Sequence, residues 1–363
     1  MSEHKKLRAA VVGLGYAGTE HMRGYVADPD VELVAIAGHE PDRLQELSEE
    51  FGGAETYTSQ DELIENAAID VLSLATPTAL HAPAAIAALN RGIHVLTEKP
   101  MAETLEAATR MSEAARANDR VLQVTFNQRH QPATQAALKA VADGELGSIY
   151  LAKARWSRSW GIPGLDSWFA RKSMAGGGPL MDLGIHMLDL GLLLMGEPAP
   201  VRVTAATYAA FGPRGLGGPV NSRKTAGPQG TYDVEDLGTA FVRMGNGATL
   251  LLESSWAQHI PHDEGRVELY GDEGSLVLEL ASGTGRPPHA ALTRVCAADD
   301  ITQTELPLGS GGGHKVAVAE FLAAVRAGAP DYGTVGLRRT AVIQALFDSA
   351  EAGHEVEVAS PEL

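Results

Sequence analysis

An aspartate and a histidine four residues apart, Asp182 and His186, are the residues whose types and spacing most clearly suggest chemistry. They lie in residues 180–195, whose pattern predicts a helix, and the spacing places both side chains on one face of it. Apart from two glycines and one further aspartate, the rest of the segment is large and apolar, which is typical of a buried helix. Because a lone buried charge is costly, the pair must be partnered or must face a site. A structural pair and a metal site are the alternatives to a catalytic pair, and we expect no metal.

A glycine-rich turn follows the first predicted strand, residues 7–12, and opens the helix predicted over 17–27. The turn consists of Gly13, Leu14, Gly15, Tyr16, Ala17 and Gly18, which fit the pattern G-x-G-x-x-G. In this context Gly13 allows the tight turn, Gly15 lets the backbone approach a pyrophosphate, and Gly18 lets helix and strand pack closely. The turn therefore predicts a dinucleotide site that includes Tyr16 and Ala17. A glycine-rich turn without a ligand is the alternative.

The choice between NAD and NADP depends on the end of the second predicted strand, residues 31–37. Dinucleotide folds place an acidic residue on the ribose about 20 residues after the glycine turn, and Gly38 stands at that position. A carboxylate at this position would repel a 2′-phosphate. In its absence His39 and Arg43 could bind that phosphate. Glu40 could reach the ribose hydroxyls and favour NAD. NAD and NADP both stay open, with the balance slightly toward NADP.

Polar residues follow two further predicted strands, 71–75 and 94–96. Because open α/β sheets bind ligands at the carboxyl ends of their strands, we place these residues in the cofactor site. They are Thr76, Pro77, His81, Glu98 and Lys99. A proline follows Lys99, and this position favours a functional lysine over a surface one.

The alternation of strands and helices up to residue 125 predicts a parallel sheet with helices on both faces, as in a Rossmann domain. Beyond residue 126, helices flank longer alternating stretches that predict a large, open, mostly antiparallel sheet of five or six strands. We therefore predict an α/β protein with a dinucleotide-binding domain at 1–125 and a second domain at 126–363. Residues 211–230 hold six glycines and three prolines, a composition typical of a lid, an arm or a disordered flap.

Composition argues against several classes of protein. The net charge of −17 over 363 residues argues against nucleic-acid binding, which needs a basic face. The single cysteine, Cys296, rules out internal disulfides and a cysteine-based zinc site. No apolar run reaches the roughly 18 residues of a membrane span, and the first residues do not resemble a signal peptide. We therefore expect a cytoplasmic protein.

Together these motifs resemble the Gfo/Idh/MocA family of oxidoreductases. The resemblance rests on the glycine turn, Thr-Pro-x-x-x-His at 76–81, Glu-Lys-Pro at 98–100, Gly-Gly-Gly-x-x-x-Asp-x-Gly-x-His at 176–186, Asn127, Arg129 and Val234-Glu235-Asp236. It implies an N-terminal Rossmann domain, a C-terminal α/β domain with an open sheet, an NAD or NADP cofactor, and sugars, inositols or related polyols as substrates. It also implies a homodimer or homotetramer formed through the C-terminal sheet. Gly38 departs from the family pattern.

The resemblance also implies the catalytic roles of three residues. His186 would take the proton of a substrate hydroxyl while the carbon-bound hydrogen leaves as hydride to the nicotinamide. The ammonium of Lys99 would stabilise the developing alkoxide. Asp182 would hydrogen-bond the substrate or orient the imidazole.

We expect further contacts with the substrate from the second domain. Residues 151–230 hold nine Lys or Arg against four Asp or Glu, and aromatic and Arg side chains suit a sugar ring and an anionic group respectively. The candidate substrate residues are Asn127, Arg129, Arg155, Trp156, Trp168, Lys172, Asp182 and His186. An acidic sugar or a glycoside therefore joins the expected substrates. A solvated strand face with interface tryptophans is the alternative.

Two other functions fit the resemblance. One is a glycoside hydrolase that uses bound NAD to oxidise its sugar transiently, and the other is a non-catalytic dinucleotide sensor. The presence of Lys99, Asp182 and His186 argues against the sensor, which would not need all three.

Overall fold

The computed structural model of the chain describes residues 6–165, 167–218, 232–281, 287–297 and 300–361. They form two compact units. The first unit comprises Met1–Asn127, Gly312–Thr340 and Pro361–Leu363, and the second comprises Gln128–Gly311 and Ala341–Ser360. The first unit thus includes residues 312–340, which the sequence analysis placed in the second domain. Within the Gly/Pro-rich segment predicted as a lid, an arm or a flap, 219–230 lie outside the described residues.

The described strands and helices are numbered here in chain order. The strands are β1 (Leu7–Val12), β2 (Val31–Ala37), β3 (Glu55–Tyr57), β4 (Val71–Leu74), β5 (His94–Glu98), β6 (Leu122–Thr125), β7 (Ile149–Ser157), β8 (Pro200–Tyr208), β9 (Leu237–Met244), β10 (Thr249–Ser255), β11 (Glu264–Gly271), β12 (Ser275–Glu279), β13 (His289–Ala297), β14 (Asp300–Glu305) and β15 (Val356–Glu357). The helices are α1 (Tyr16–Val26), α2 (Pro41–Glu50), α3 (Gln60–Asn66), α4 (His81–Asn90), α5 (Leu105–Ala117), α6 (Pro132–Ala142), α7 (Lys172–Ala175), α8 (Ile185–Leu194), α9 (His314–Ala327) and α10 (Thr334–Ala352).

The first unit contains a six-stranded sheet in the order β3-β2-β1-β4-β5-β6, and every pair of neighbours is parallel. This confirms the predicted Rossmann sheet, in which the strand order reverses beside β1. The sequence analysis missed β3 because its three residues are not buried and carry no apolar signal.

Helix α9 belongs to the core of the first unit. Its residues Val318 and Phe321 are fully buried in one apolar cluster with Met22 of α1 and Ile36 of β2. A Cβ at Gly24 would lie 2.8 Å from Cβ of Val318, so glycine at that position lets α1 and α9 approach closely. This packing explains why residues 312–340 join the first unit.

The second unit contains a nine-stranded sheet in the order β14-β13-β12-β11-β7-β10-β9-β8-β15. Only the pair β7 and β10 is parallel among the described strand pairs of this sheet, which confirms a large, mostly antiparallel sheet. The predicted count of five or six strands was too low, because β13, β14 and β15 were missed. Strand β14 is exposed along its whole length at one edge of the sheet, and β15 has only two residues. Neither one provides the apolar alternation that indicates a strand.

The two faces of the second sheet differ in chemistry. Along β7, Ala152 and Ala154 are buried, while Lys153 and Arg155 point to the opposite face, as the period of two requires. The buried face lies against α8, where a Cβ at Gly191 would be 3.0 Å from the Leu250 side chain of β10. This packing brings α8, which contains His186, onto the sheet.

The segment 180–195, predicted as one continuous helix, begins as a π-helical turn over Leu180–Gly184 and continues as α8. Pro179 precedes the turn, and the residues of both parts are nearly all buried. Asp182 therefore lies in the π turn and His186 in the α-helix, so the two residues do not share one regular helix. Within the described part of the chain, no helix is both long and apolar enough to cross a membrane.

Candidate active site

The glycine turn in the first unit has the geometry that the sequence predicts. Gly13 has a φ of +106°, and a Cβ there would lie 2.1 Å from the carbonyl oxygen of Ala75. A Cβ at Gly18 would lie 1.9 Å from the carbonyl oxygen of Gly13, which explains the close packing of strand and helix. Gly15 is different, since a Cβ there would meet no atom within 4 Å. Its open position at the start of α1 fits a pyrophosphate bound to helix N–H groups.

Gly38 follows β2 and lies against the side chain of Leu14. A Cβ at this position would lie 2.4 Å from both Cγ and Cδ1 of Leu14, so any larger residue requires Leu14 to move. His39 and Glu40 are exposed. Arg43 forms an ion pair with Glu46 at 2.6 Å, and both side chains are exposed to solvent. The residues predicted to favour NAD or NADP thus all follow the end of β2.

His81 joins the two polar strand ends. Its Nδ1 lies 3.0 Å from the carbonyl oxygen of Pro100 and its Nε2 lies 2.9 Å from that of Thr76. Burial lowers the pKa of the imidazole, and a neutral ring can donate to only one of these carbonyls at a time. His81 therefore lies between the two loops and can donate to the carbonyl oxygen of one or the other. The Thr76 hydroxyl is buried and has no hydrogen-bond partner among the described residues.

Glu98 is buried beside Lys99 and accepts three contacts. Its Oε1 lies 3.1 Å from Nε2 of His21 and 3.4 Å from Nε2 of His314, and its Oε2 accepts the backbone N–H of Lys99 at 3.3 Å. Burial alone would raise the pKa of this carboxyl group, but the hydrogen bonds from His21 and His314 outweigh it and lower the pKa well below its usual range. The sequence analysis missed both histidines. A histidine on the buried face of α1 was the available signal.

The Asp182–His186 pair in the second unit lies among tryptophans. The indole N–H of Trp256 donates to Oδ2 of Asp182 at 2.9 Å, and Trp256 is fully buried. The ring of His186 lies 6.0 Å from the ring of Trp156, at an angle of 43°. The sequence analysis missed Trp256, which follows β10 and lies 74 residues from Asp182.

The glycines before the pair are held by Glu235. Its carboxylate accepts the backbone N–H of Gly178 at 2.9 Å and that of Leu180 at 3.1 Å. A Cβ at Gly178 would lie 2.0 Å from the carbonyl oxygen of Glu235, so only glycine fits. Burial raises the pKa of Glu235 to about 7, against the lowering effect of these N–H groups and of Lys172. Its neighbour Asp236 accepts three backbone N–H groups of residues 210–212.

The predicted substrate residues of the second unit do not all come together. Trp156 faces His186, whereas Arg155 lies on the opposite, exposed face of the sheet, where it pairs with Glu264. The Arg129 guanidinium donates from Nε to Oδ2 of Asp189 at 2.7 Å and from an Nη to Oδ1, so Asp189 holds it.

The remaining predicted substrate residues are more exposed. Trp168 is partly buried and stacks on Phe169 with ring centroids 3.8 Å apart. Lys172 is exposed at the start of α7, and its charge lowers the pKa of Glu235. Asn127 is partly buried and belongs to the first unit.

Comparisons with known proteins cover most of the chain. Residues 7–126 match the family described as "Oxidoreductase family, NAD-binding Rossmann fold", and residues 134–277 match the "GFO/IDH/MocA C-terminal domain". The chain is 34% identical to D-glucoside 3-dehydrogenase of Escherichia coli K12 over 279 residues, which are 75% of this chain and 77% of that protein. It is 31% identical to levoglucosan dehydrogenase of Pseudarthrobacter phenanthrenivorans over 286 residues, 75% and 73% of the two chains. A structure of levoglucosan dehydrogenase in complex with NADH and levoglucosan superposes with a TM-score of 0.84 at 25% identity, covering 98% and 100% of the two chains.

Proposed function

This chain belongs to the GFO/IDH/MocA family of oxidoreductases, and we propose that it transfers a hydride between a hydroxyl-bearing carbon of a sugar or polyol and the nicotinamide of NAD or NADP. The observation that carries the proposal is the environment of the Asp182–His186 pair. The carboxylate of Asp182 is fixed by the indole N–H of Trp256, and the imidazole of His186 lies beside the partly buried ring of Trp156. The pair thus combines acid–base groups with one aromatic face that suits a sugar ring.

In the oxidative direction His186 accepts the proton of the reacting hydroxyl group. The Lys99 ammonium stabilises the negative charge that develops on that oxygen. Asp182 accepts a hydrogen bond from a neighbouring substrate hydroxyl, because Trp256 holds its carboxylate in one orientation. The bound nicotinamide supplies the hydride-accepting carbon. The same groups act in reverse order during reduction.

The cofactor is held by residues of the first unit in this proposal. The open backbone at Gly15 and the N–H groups at the start of α1 bind the pyrophosphate. Thr76, whose buried hydroxyl has no hydrogen-bond partner among the described residues, would lie beside the cofactor at the end of β4. Two relatives with NADH or NAD in their structures support NAD, whereas the absence of a carboxylate at Gly38 leaves room for the 2′-phosphate of NADP.

The substrate class follows from the relatives. D-glucosides and levoglucosan, an anhydro sugar, are named for the two relatives described above, and inositols are named for two others. We infer a neutral cyclic sugar or polyol, because Arg155 lies on the opposite face of the sheet from His186 and Arg129 is held by Asp189. Among the candidate substrate residues of the second unit, Lys172 is the cation that remains to favour an anionic sugar.

The proposal is tested by following the absorbance of the reduced nicotinamide with NAD and with NADP. Glucosides, levoglucosan, inositols and sugar acids serve as substrates, and glycoside cleavage is followed in parallel. We expect cofactor reduction that depends on the sugar, and a loss of kcat of about 100-fold or more in His186→Ala with cofactor affinity retained. His354→Ala, which removes an exposed histidine, is the matched control. Near-normal turnover of His186→Ala contradicts the proposal, and cleavage without net reduction would favour the hydrolase.

We further propose that copies of the chain associate through the exposed face of the nine-stranded sheet. A shallow depression on that face is lined by Lys153, Arg155, Thr239, Leu251, Glu253, Arg266 and Glu268, among others. Leu251 is a large apolar side chain exposed among these charges, and mixed charges of both signs suit a self-complementary contact. Light scattering of wild type and Leu251→Asp tests this: we expect a dimer or tetramer that dissociates in the variant. A cytoplasmic location stays a prediction.

A further inference from the structure

His21, Glu98 and His314 form a buried cluster in the first unit that the reaction proposed above does not use. Two of the three are nearly inaccessible and His21 is fully buried. Their nearest nitrogen and oxygen atoms all lie within 4.8 Å of one another. The three residues come from α1, the end of β5 and the first turn of α9, so the cluster joins three elements of the core.

The charge state of the cluster follows from its hydrogen bonds. The pKa of Glu98 is lowered, so its carboxylate is anionic and can only accept. Each imidazole must therefore offer Nε2 as an N–H donor to Oε1. An imidazole that carries its single proton on Nε2 leaves Nδ1 as an acceptor, and Nδ1 of His21 is buried without a hydrogen-bond partner among the described residues. A buried acceptor without a partner is tolerated more often than an orphaned donor.

The second carboxylate oxygen connects the cluster to Lys99. Oε2 of Glu98 accepts the N–H of Lys99, and the following residue, Pro100, has no N–H to offer. At its other end the cluster reaches the glycine turn. The His314 ring lies 5.7 Å from the Tyr16 ring in an edge-on contact, and Tyr16 is 75% exposed. The cluster thus contacts both Tyr16 of the glycine turn and the backbone of Lys99.

We propose that Glu98 is a positioning residue, held by His21 and His314, that fixes the backbone of Lys99 relative to the glycine turn. With its backbone fixed, Lys99 has fewer conformations in which its ammonium group lies away from the developing alkoxide. Small displacements of such a group lower the reaction rate by a large factor. The inference rests on the proposed function only for the role of Lys99. The contacts among His21, Glu98, His314 and the Lys99 backbone do not depend on it.

A divalent cation bound by the same three side chains is the competing explanation. The two N···O distances, 3.1 and 3.4 Å, are compatible with ligand separations around zinc. A metal on Nε2 of His21 would, however, leave a protonated Nδ1 buried without an acceptor, whereas ligating histidines nearly always donate that proton. The hydrogen-bonded network is therefore favoured.

The test compares His21→Leu with His21→Gln, because glutamine can return an N–H donor to Oε1 and leucine cannot. Glu98→Gln removes the charge and serves as a second variant if one of the others fails to fold. The readouts are kcat, the KM of the sugar, the Kd of NADH by fluorescence, and the ¹³C signal of methylated Lys99, assigned with Lys99→Arg. The last readout needs no turnover and so separates this inference from the proposed function.

We expect His21→Leu to lower kcat about 10-fold or more, to shift the Lys99 signal, and to change the Kd of NADH less than kcat. His21→Gln should recover most of kcat and the wild-type signal. An unmoved Lys99 signal in both His21→Leu and Glu98→Gln overturns the inference. So does one equivalent of zinc or another metal in the purified wild type that is lost in His21→Leu. If the wild type has no turnover but the Lys99 signal shifts as expected in the variants, the proposed function is wrong and the positioning of Lys99 by Glu98 is still supported.

Discussion

The indole N–H of Trp256 donates to Oδ2 of Asp182 at 2.9 Å, although the two residues lie 74 positions apart. Trp256 follows β10 directly and is fully buried, so its ring has one fixed orientation. Asp182 lies in the π-helical turn before α8, at partial exposure. The tryptophan therefore sets the direction in which the carboxylate presents its second oxygen.

Replacing this tryptophan should affect catalysis more than folding. In Trp256→Phe most of the apolar packing is kept while the N–H donor is lost, so we expect kcat to fall about 10-fold with a smaller change in the Kd of the cofactor. Steady-state kinetics and thermal unfolding measure the two effects. Trp160→Phe is the matched control, because Trp160 packs against the same apolar cluster and its ring contacts that of Phe211 edge-on. Equal losses of kcat in both variants would contradict an orienting role.

The contact between Leu14 and Gly38 should govern the choice of cofactor. An aspartate at position 38 would repel a 2′-phosphate and accept from ribose hydroxyls, but its Cβ would lie 2.4 Å from the Leu14 side chain. We therefore expect the double variant Leu14→Ala/Gly38→Asp to favour NADH over NADPH by about 10-fold more than wild type, and Gly38→Asp alone to lose affinity for both.

Fluorescence titration with NADH and NADPH gives the two dissociation constants without any substrate. Leu14→Ala alone is the control and should leave their ratio unchanged. A ratio that shifts as far in Leu14→Ala as in the double variant would show that the carboxylate is not responsible.

The glycine turn could be predicted because its chemistry is local. Gly13 and Gly18 are required by contacts within a few residues and with the neighbouring strand, and the pattern G-x-G-x-x-G contains that information. The same holds for β1, β4 and β5 of the parallel sheet, most of whose residues are buried. Trp256 could not be found this way, because its contact with Asp182 depends on how β10 pairs in the sheet.

Arg155 and Trp156 show a different limit. They are adjacent in sequence and suit the same ligand, so residue type alone predicts that both contact the substrate. The period of two in β7 places them on opposite faces of the sheet. The strand had been predicted correctly, and the alternation already separated the two side chains. The position of α9 in the first unit could not be predicted, because an amphipathic helix does not indicate which of two cores it covers.

Glu235 should make the stability of the second unit depend on pH. Its pKa is raised from 4.5 to about 7, so the folded state favours the protonated form. That contribution is fully present below about pH 4.5 and is lost as the pH rises through 7, which corresponds to about 2 kcal/mol between pH 5 and pH 8. We expect the difference in unfolding free energy between Glu235→Gln and wild type to shift by this amount in favour of the variant as the pH rises.

Urea denaturation at several pH values measures that difference. Glu65→Gln is the control, because Glu65 is an exposed residue of α3 in the other unit. Parallel pH profiles of Glu235→Gln and wild type would show that the carboxylate does not titrate in this range. Because Glu235 holds the backbone of Gly178 and Leu180, kcat of the variant should also fall at every pH.

Arg129 should act on stability rather than on substrate binding. Its guanidinium holds the carboxylate of Asp189, which is 1% exposed, and lies 3.6 Å from Glu197. Arg129→Met would remove the cation from a buried carboxylate, which costs about 3–5 kcal/mol, whereas Arg129→Met/Asp189→Leu replaces both charges by apolar groups and should recover most of that loss. Urea denaturation measures both variants. Arg202→Met, at an exposed ion pair with Glu357, is the control and should change stability by less than about 1 kcal/mol. If Arg129 bound the substrate instead, Arg129→Met would raise the KM of the sugar without destabilising the fold, and the double variant would not restore it.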